Sequence, residues 1–530
     1  MQPAVRAAPH SPEATVAELI RLLGKEHVLT DPADRLFYAQ DVYRQGEIPA
    51  AVIRPGSADE LAGALRIVAG AGLPVVPRGG GMSYTDGYLP KRPHSITVDL
   101  LRMDRIVEIN AADCYVTIEC GATWKALHDA LTPQGVRTPY WGPLSGLKSS
   151  IGGALSQGSI FLGSGRYGAV AESVIGLDVM LADGSVLKLG SHANERGTPF
   201  FRQFGPDTMA MFLSDCGALG IKTRASFRLI RTPPENRHLS FAFDTHTALF
   251  AAMAEVARAD VASECFAFDP GLQAVRMKRT SLAADVKALG NVMKSAGGAL
   301  AALKEGAKVV MAGRSFLDDV KYSLHLSFDG RDAADVEGKT AAARAILTRT
   351  SREVDNTIPK VMRANPFGEV NSMLGPSGER WVPVHGTVPF SKAGTMFDAL
   401  EAVFARHRDA MHKYEIDHGY LCATVGNVGT LIEPVLYWPD ARQSFHDRVL
   451  DADYLAKLPR YAENLPAREA VARLREDLAV CFMEQGAASF QLGKFYKFQE
   501  GLAPSAASFL KQLKTLLDPQ GRMNPGALGL

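Results

Sequence analysis

Two glycine-rich segments, each reached from a β-type run, constrain this chain more than any other feature. The first follows Leu73-Pro-Val-Val-Pro77 and reads Arg78-Gly79-Gly80-Gly81-Met82-Ser83-Tyr84-Thr85-Asp86-Gly87. The second runs from Trp141 to Gly168 and is so dense in glycine and serine that an ordinary connection does not account for it. Glycine tolerates positive φ and leaves its neighbours' N–H groups uncovered, so such a loop either turns tightly or cradles a phosphate-bearing ligand. The triple glycine alone does not choose between these. The second segment implies that a backbone closely approaches something here. Neither is a G-x-G-x-x-G fingerprint or a G-x-x-x-x-G-K-[ST] loop, so a nicotinamide dinucleotide or a nucleoside triphosphate is not indicated.

The surrounding text is α+β. Ser57-x-x-Glu60 is a capping box opening a helix whose stripe is Leu61, Leu65, Ile67 and Val68. Strands are expected at Ser95–Leu100 and Tyr115–Glu119, and a short helix at Thr123–Leu131. Gly176–Lys188 reads as a hairpin turning at Asp183-Gly184. The prolines of Thr232-Pro-Pro-Glu-Asn236 end one strand and open a new body. At 530 residues the chain exceeds one hydrophobic core several-fold, so two or more domains are expected. Residues 234–485 carry their own traffic, including Leu324–Phe328 and Leu431–Trp438. The tail is a helix, Phe509–Leu517, stopped by Asp518-Pro519.

A formal charge of +1 gives no electrostatic case for nucleic acid. The six cysteines form no C-x-x-C pair and no zinc pattern, and read as reduced thiols of a cytoplasmic protein. Residues 1–26 lack the apolar region of a signal peptide, and no stretch reaches the ~18 apolar residues of a spanning helix.

In order, Pro77–Gly87, Ser150-Ile-Gly-Gly153, Tyr167-Gly168, the hairpin after Gly176, Gly217-Ala-Leu-Gly-Ile-Lys-Thr223 and Leu517-Asp-Pro-Gln-Gly-Arg-Met-Asn-Pro-Gly526 resemble the FAD-linked oxidases of vanillyl-alcohol oxidase and p-cresol methylhydroxylase type. The resemblance covers nearly the whole chain. It implies a p-cresol methylhydroxylase-type FAD-binding domain at 1–233, an α/β cap domain at 234–485 that builds the substrate pocket, and a segment at 486–530 returning to the first domain. It also implies FAD contacts at Arg78, Gly79, Gly80, Gly81, Met82, Ser83 and Gly87. Further contacts are implied at Pro143, Ser145, Ser149, Ile151, Gly152, Gly153, Gly158, Tyr167, Gly168, Ile221 and Asn524. Many relatives bond the flavin through a His in the first loop or a His or Tyr in the cap. Met82 stands at the loop position and Asn365–Gly378 holds neither Tyr nor His, so noncovalent FAD is expected.

Two branches of the superfamily compete for the chemistry. The D-2-hydroxy-acid dehydrogenases share the tail, but their Gly-Glu-His-Gly element is Gly486-Ala487-Ala488-Ser489 here. Their His-x-Gly-Asp-Gly-Asn-x-His element is reduced to Val425-Gly-Asn-Val-Gly429, so no metal is expected. The phenol-oxidising branch resembles Glu379–His385 and the helix after Ala393. There a Tyr and an Arg stabilise a phenolate while hydride leaves for flavin N5, and Lys494-Phe495-Tyr496-Lys497 offers similar types. The leading expectation is hydride removal from a CH–OH, para-alkylphenol or aromatic alcohol, with oxygen, cytochrome or quinone as acceptor. A metal-free lactate- or glycolate-like dehydrogenase is the first alternative, and a flavin-binding protein without turnover the second.

His385, Tyr496, Glu433 and Lys494 are the candidate catalytic residues. His385 is otherwise a core histidine bonded to a carbonyl, and Glu433, breaking an apolar strand, is otherwise the partner of a buried Arg. Tyr437 and Trp438 line an aromatic cleft or simply the core. Arg363 and Arg380 are surface charges by default and anion ligands otherwise. The stripe Val286, Leu289, Met293, Ala296, Leu300, Leu303, with Lys287, Lys294, Lys304 and Lys308 beside it, predicts an amphipathic helix within 283–313. It would pack on the cap, touch a membrane surface or meet a partner subunit. A homodimer is expected.

Overall fold

A computed structural model describes residues 11–279 and 320–530; the 283–313 helix expectation lies outside them. The capped helix forms at Ala58–Gly70: Ser57 Oγ accepts the Glu60 N–H at 3.2 Å, and the Glu60 carboxylate accepts the Gly56 N–H at 2.7 Å. Leu61, Leu65 and Val68 are buried from this helix against a four-stranded sheet. Its strands lie in the order Val28–Leu29, Ala51–Ile53, Ile96–Asp99, Val75–Arg78, and the last three are parallel. The C-terminal segment returns to this edge. Val75 donates to the Arg522 carbonyl at 2.9 Å and accepts from the Asn524 N–H at 2.7 Å, and Met523 is fully buried in the same core.

A second, antiparallel sheet has the order Ile106–Asn110, Tyr115–Glu119, Ile221–Arg228, Val174–Met180, Val186–Gly190. Its last pair is the expected hairpin. Gly184 takes φ +83° and Asp183 Oδ1 accepts the Ser185 N–H at 2.9 Å, the geometry an Asp-Gly turn supplies.

The third sheet has eight strands. Seven run in the order Arg352–Val354, Glu235–Phe243, Tyr322–Gly330, Glu264–Phe268, Asp417–Val425, Gly429–Trp438, Arg380–Pro383. The eighth, Gly386–Val388, also pairs with Gly429–Trp438. Helices His246–Arg258, Ala333–Leu347, Ala393–Lys413 and Leu465–Glu484 supply the rest of this core. Tyr437 and Trp438 are buried with the sheet. Arg380 is not a surface charge: only 1% exposed, it lies 3.9 Å from Asp440 and donates to the Tyr43 carbonyl. Arg363 is likewise drawn in, with Nη2 2.8 Å from Asp329 Oδ1. A guanidinium leaves the surface when a buried carboxylate is there to receive it. All six cysteines are free thiols, and among the described residues no helix is long and apolar enough to cross a membrane.

Candidate cofactor groove and reaction site

The two glycine loops press on each other. A Cβ on Gly79 would overlap Ser150 Oγ, and one on Gly80 would overlap the Lys148 carbonyl oxygen and sit 2.7 Å from its carbon. Ser150 in turn caps the helix Ile151–Gln157, accepting the Gly153 N–H at 3.1 Å. Above the contact lies an open groove. Its wall includes Arg78, Gly79, Gly80, Gly81, Met82, Ser83, Gly87, Pro143, Ser145, Ser149, Gly152, Gly153 and Ile221, all named by the sequence.

Five expected contacts lie elsewhere. Ile151 is wholly buried in the core of the second sheet, and Gly158 closes its helix at φ +66°. Tyr167 is surrounded by the guanidinium groups of Arg137, Arg166 and Arg228, and Gly168 borders Glu172. Asn524 acts as a staple: its Nδ2 donates to the carbonyls of Gly87 at 2.8 Å and Cys216 at 2.6 Å, tying the tail to two groove-lining residues.

Among the described residues no carboxylate lines the groove, and the two cations that do already have partners. The Arg78 guanidinium donates to the Tyr38 and Gln40 carbonyls, both at 3.2 Å, and stacks on Phe37, Tyr38 and Tyr88; Lys222 is paired with buried Asp215. An anionic ligand would therefore meet backbone N–H groups and the hydroxyls of Ser83, Ser145, Ser149 and Ser156.

Residues 49–190 match the FAD binding domain family. That stretch is therefore an FAD-binding domain. FAD is its cofactor. The chain is 30% identical over 223 residues to the glycolate oxidase subunit GlcD of Bacillus subtilis, covering 42% of this chain and 46% of that protein. It is 28% identical over 199 residues to a mitochondrial D-lactate dehydrogenase (cytochrome) of Saccharomyces cerevisiae, covering 37% of this chain and 32% of the yeast protein. The chain thus spans less than half the length of either relative. The fold is that of p-cresol methylhydroxylase with substrate bound, at TM-score 0.73 and 16% identity, covering 98% of this chain and 96% of that one. It is also that of 4-ethylphenol oxidase from Gulosibacter chungangensis, at TM-score 0.67 and 17% identity, covering 100% and 99%. The groove suits the cofactor: it is anion-tolerant, and its loops pack so closely that a Cβ at either glycine would collide.

At Met82, Ser83 and Gln491 this candidate cofactor groove borders a cluster from both halves of the fold. His385 is completely buried, stacked on Phe490 with centroids 3.9 Å apart and edge-on to Tyr84 at 5.9 Å. Tyr496 Oη accepts the His385 N–H at 2.8 Å and lies 3.3 Å from its Nδ1, while Nε2 has no hydrogen-bond partner among the described residues. Burial pushes the imidazole down to about 3 and the Tyr496 hydroxyl well up. Glu433 is half-buried, with Oε2 3.5 Å from Tyr84 Oη.

Lys494, expected beside Tyr496, points elsewhere. Its ammonium donates to the Leu89 carbonyl at 2.5 Å; burial, helped by nearby Lys91, lowers it to about 7. Adjacent residues in irregular backbone need not share a side.

Tyr84, Gln491 and Arg475 were not singled out in the sequence. Gln491 Nε2 donates to Tyr84 Oη at 3.3 Å, and the fully buried Arg475 donates to the Tyr84 carbonyl at 2.5 Å. Tyr84 alone carried a signal, its place three residues past the triple glycine.

Burial pushes the imidazoles of His238 and His385 down to about 3, and that of His446 well below its usual value. All three are lowered in the folded chain, so the unfolded chain takes up protons first as pH falls through the ordinary histidine range. Stability present above about pH 6.5 is then lost toward pH 3, at about 1.4 kcal/mol per pH unit per group. The melting temperature is expected to fall steadily from pH 7 to pH 5. A flat profile in differential scanning calorimetry would contradict this.

Proposed function

We propose that this chain is an FAD-dependent oxidoreductase that removes a hydride from an aromatic alcohol or a para-alkylphenol. The observation that carries the reading is the buried cluster of Tyr84, His385 and Tyr496 bordering the FAD groove through Met82, Ser83 and Gln491. FAD, when bound, supplies the hydride acceptor.

The chain's own groups supply orientation and charge. Tyr84 Oη receives a hydrogen bond from Gln491, so its proton is available to a phenolic or alcoholic oxygen or to Glu433. Arg475, wholly buried and 3.6 Å above the Phe495 ring, adds positive potential as that oxygen gains charge. His385, kept neutral by burial, presents an Nε2 with no partner among the described residues that can hydrogen-bond the substrate oxygen. Phe490, Trp381 and the surrounding core exclude water. The division at 233/234 and 485/486 is part of this proposal, supported by the third sheet, whose strands all fall between 235 and 438, and by the tail's return to Val75.

The test is anaerobic bleaching of the yellow colour by para-alkylphenols, aromatic alcohols and D-2-hydroxy acids. Bleaching by a phenol or aromatic alcohol is expected. Bleaching by hydroxy acids alone would support the second reading, which the names of the glycolate and D-lactate relatives favour; no bleaching would leave a flavin-binding protein without turnover. Admitting air then separates oxygen from a cytochrome or quinone acceptor. We also propose that FAD is held noncovalently, since Met82 occupies the loop position. Acid precipitation is expected to leave a yellow supernatant and a white pellet, and a yellow pellet would refute it.

A further inference from the structure

Tyr84 Oη is held only by the long contacts to Gln491 and Glu433, at 3.3 and 3.5 Å, so its own hydrogen bonds do not fix where the hydroxyl aims. The backbone beneath it must do so. That backbone turns at Asp86, which takes a left-handed φ of +61° without being glycine, a conformation that persists only where the surroundings enforce it. Here they do. Asp86 is fully buried, and its N–H donates to Asp41 Oδ2 at 3.0 Å. Its carboxylate receives the forked guanidinium of Arg44, with Nε on Oδ1 at 2.7 Å and Nη2 on Oδ2.

Asp41 closes the circuit. It is also fully buried, and its Oδ1 accepts the Tyr43 and Arg44 N–H groups at 2.8 and 2.7 Å, which fixes the turn that presents Arg44 to Asp86. The Tyr43 ring lies 4.3 Å from the guanidinium of Arg475, the residue that donates to the Tyr84 carbonyl. The loop is therefore gripped both at Tyr84 and two residues further on. None of Asp41, Arg44 and Asp86 lines the candidate cofactor groove. A carboxylate–guanidinium fork fixes orientation as well as distance. We propose that Asp86, clasped by Arg44, is a positioning residue that sets the aim of the Tyr84 hydroxyl. The inference rests on the reaction assigned to Tyr84 above. A donor misplaced by ~1 Å costs up to ~10²-fold in rate although the donor itself is still present.

The test is a double-mutant cycle on the FAD-loaded protein, read by stopped-flow flavin reduction with the panel compound that bleaches it fastest. Asp86→Asn keeps the side-chain shape and a residue that tolerates the left-handed backbone. It removes the charge that holds Arg44, whose side chain is 45% exposed and is released to water. Reduction at saturating substrate is expected to slow by ~10-fold or more, while the half-saturating concentration changes little. In a Tyr84→Phe background the same substitution should cost less than ~2-fold, because no hydroxyl is left to aim. If Asp86→Asn fails to fold, Arg44→Lys carries the same cycle: it keeps the charge, loses the fork, and should slow reduction several-fold only when Tyr84 is present. An equal loss in both backgrounds would make the contact merely structural and overturn the proposal, as would a wild-type rate in the single variant. Either result, obtained with a slow Tyr84→Phe protein, strikes this inference alone. A Tyr84→Phe protein that keeps its rate, or a flavin that no compound bleaches, would instead remove the reaction reading and the inference with it.

Discussion

Gly80→Val is expected to yield a folded, colourless protein. The added Cβ would meet backbone, the Lys148 carbonyl and Ser149 Cα at 3.1 Å, so no rotamer change relieves it and the two loops must separate. That separation opens the groove, and Gly80 itself is no part of the third sheet or its core. A cost of ~3 kcal/mol directed at the loop contact weakens FAD binding by ~100-fold or more. The flavin absorbance of the purified protein reads the effect, and circular dichroism reads the fold. Gly394→Ala is the matched control: its Cβ would meet nothing within 4 Å, in a helix where alanine is favoured. A yellow Gly80→Val protein with wild-type FAD content would show that the loop contact does not shape the groove.

This prediction uses residues the sequence already marked, and the reason is local. A triple glycine after a β-run, a serine-capped helix start and an Asp-Gly hairpin each report on the backbone within a few residues. Their positions at Gly79–Gly81, Ser57 and Gly184 could be read directly. The groove's peripheral contacts were less legible because a motif residue can serve the motif's own geometry. Asn524 ties Gly87 to Cys216, and Ile151 fills the core beneath the groove.

The reaction cluster was the hardest part to read. Tyr84 and Glu433 are 349 positions apart and Tyr84 and Arg475 are 391 apart, brought together only where the first loop meets the third sheet. Alternating hydrophobicity tells which face of Leu431–Trp438 is buried, but not that Glu433 would turn toward a tyrosine on the first loop. The strand order of that sheet, in which Glu264–Phe268 lies between Tyr322–Gly330 and Asp417–Val425, has no counterpart in chain order. Composition also misplaced Arg380 and Arg363, because a surface prior for arginine cannot anticipate Asp440 and Asp329 waiting in the interior.

Tyr84 and Tyr496 look equivalent as buried phenols, but their hydrogen bonds separate them and predict different outcomes. Tyr496 is engaged with His385: it accepts the backbone N–H at 2.8 Å and its hydroxyl lies 3.1 Å from the same residue's carbonyl. Tyr496→Phe leaves that buried N–H without an acceptor, so it is expected to cost ~1–3 kcal/mol of stability as well as activity. Tyr84 holds only the longer contacts to Gln491 and Glu433, at 3.3 and 3.5 Å. Tyr84→Phe should therefore leave the melting temperature nearly unchanged. In the proposed reaction the hydrogen bond that this variant removes from the substrate oxygen is needed most when that oxygen carries charge, so the rate of flavin reduction should fall by ~10²-fold or more, as for other preorganised donors. Because the loss is largest in the transition state, the rate constant at saturating substrate should fall further than the affinity for substrate. Stopped-flow reduction with the best phenol or alcohol from the panel measures both. If Tyr84→Phe lost stability and kept its rate while Tyr496→Phe did the reverse, the two roles would be exchanged and Tyr496 would be the donor that meets the substrate.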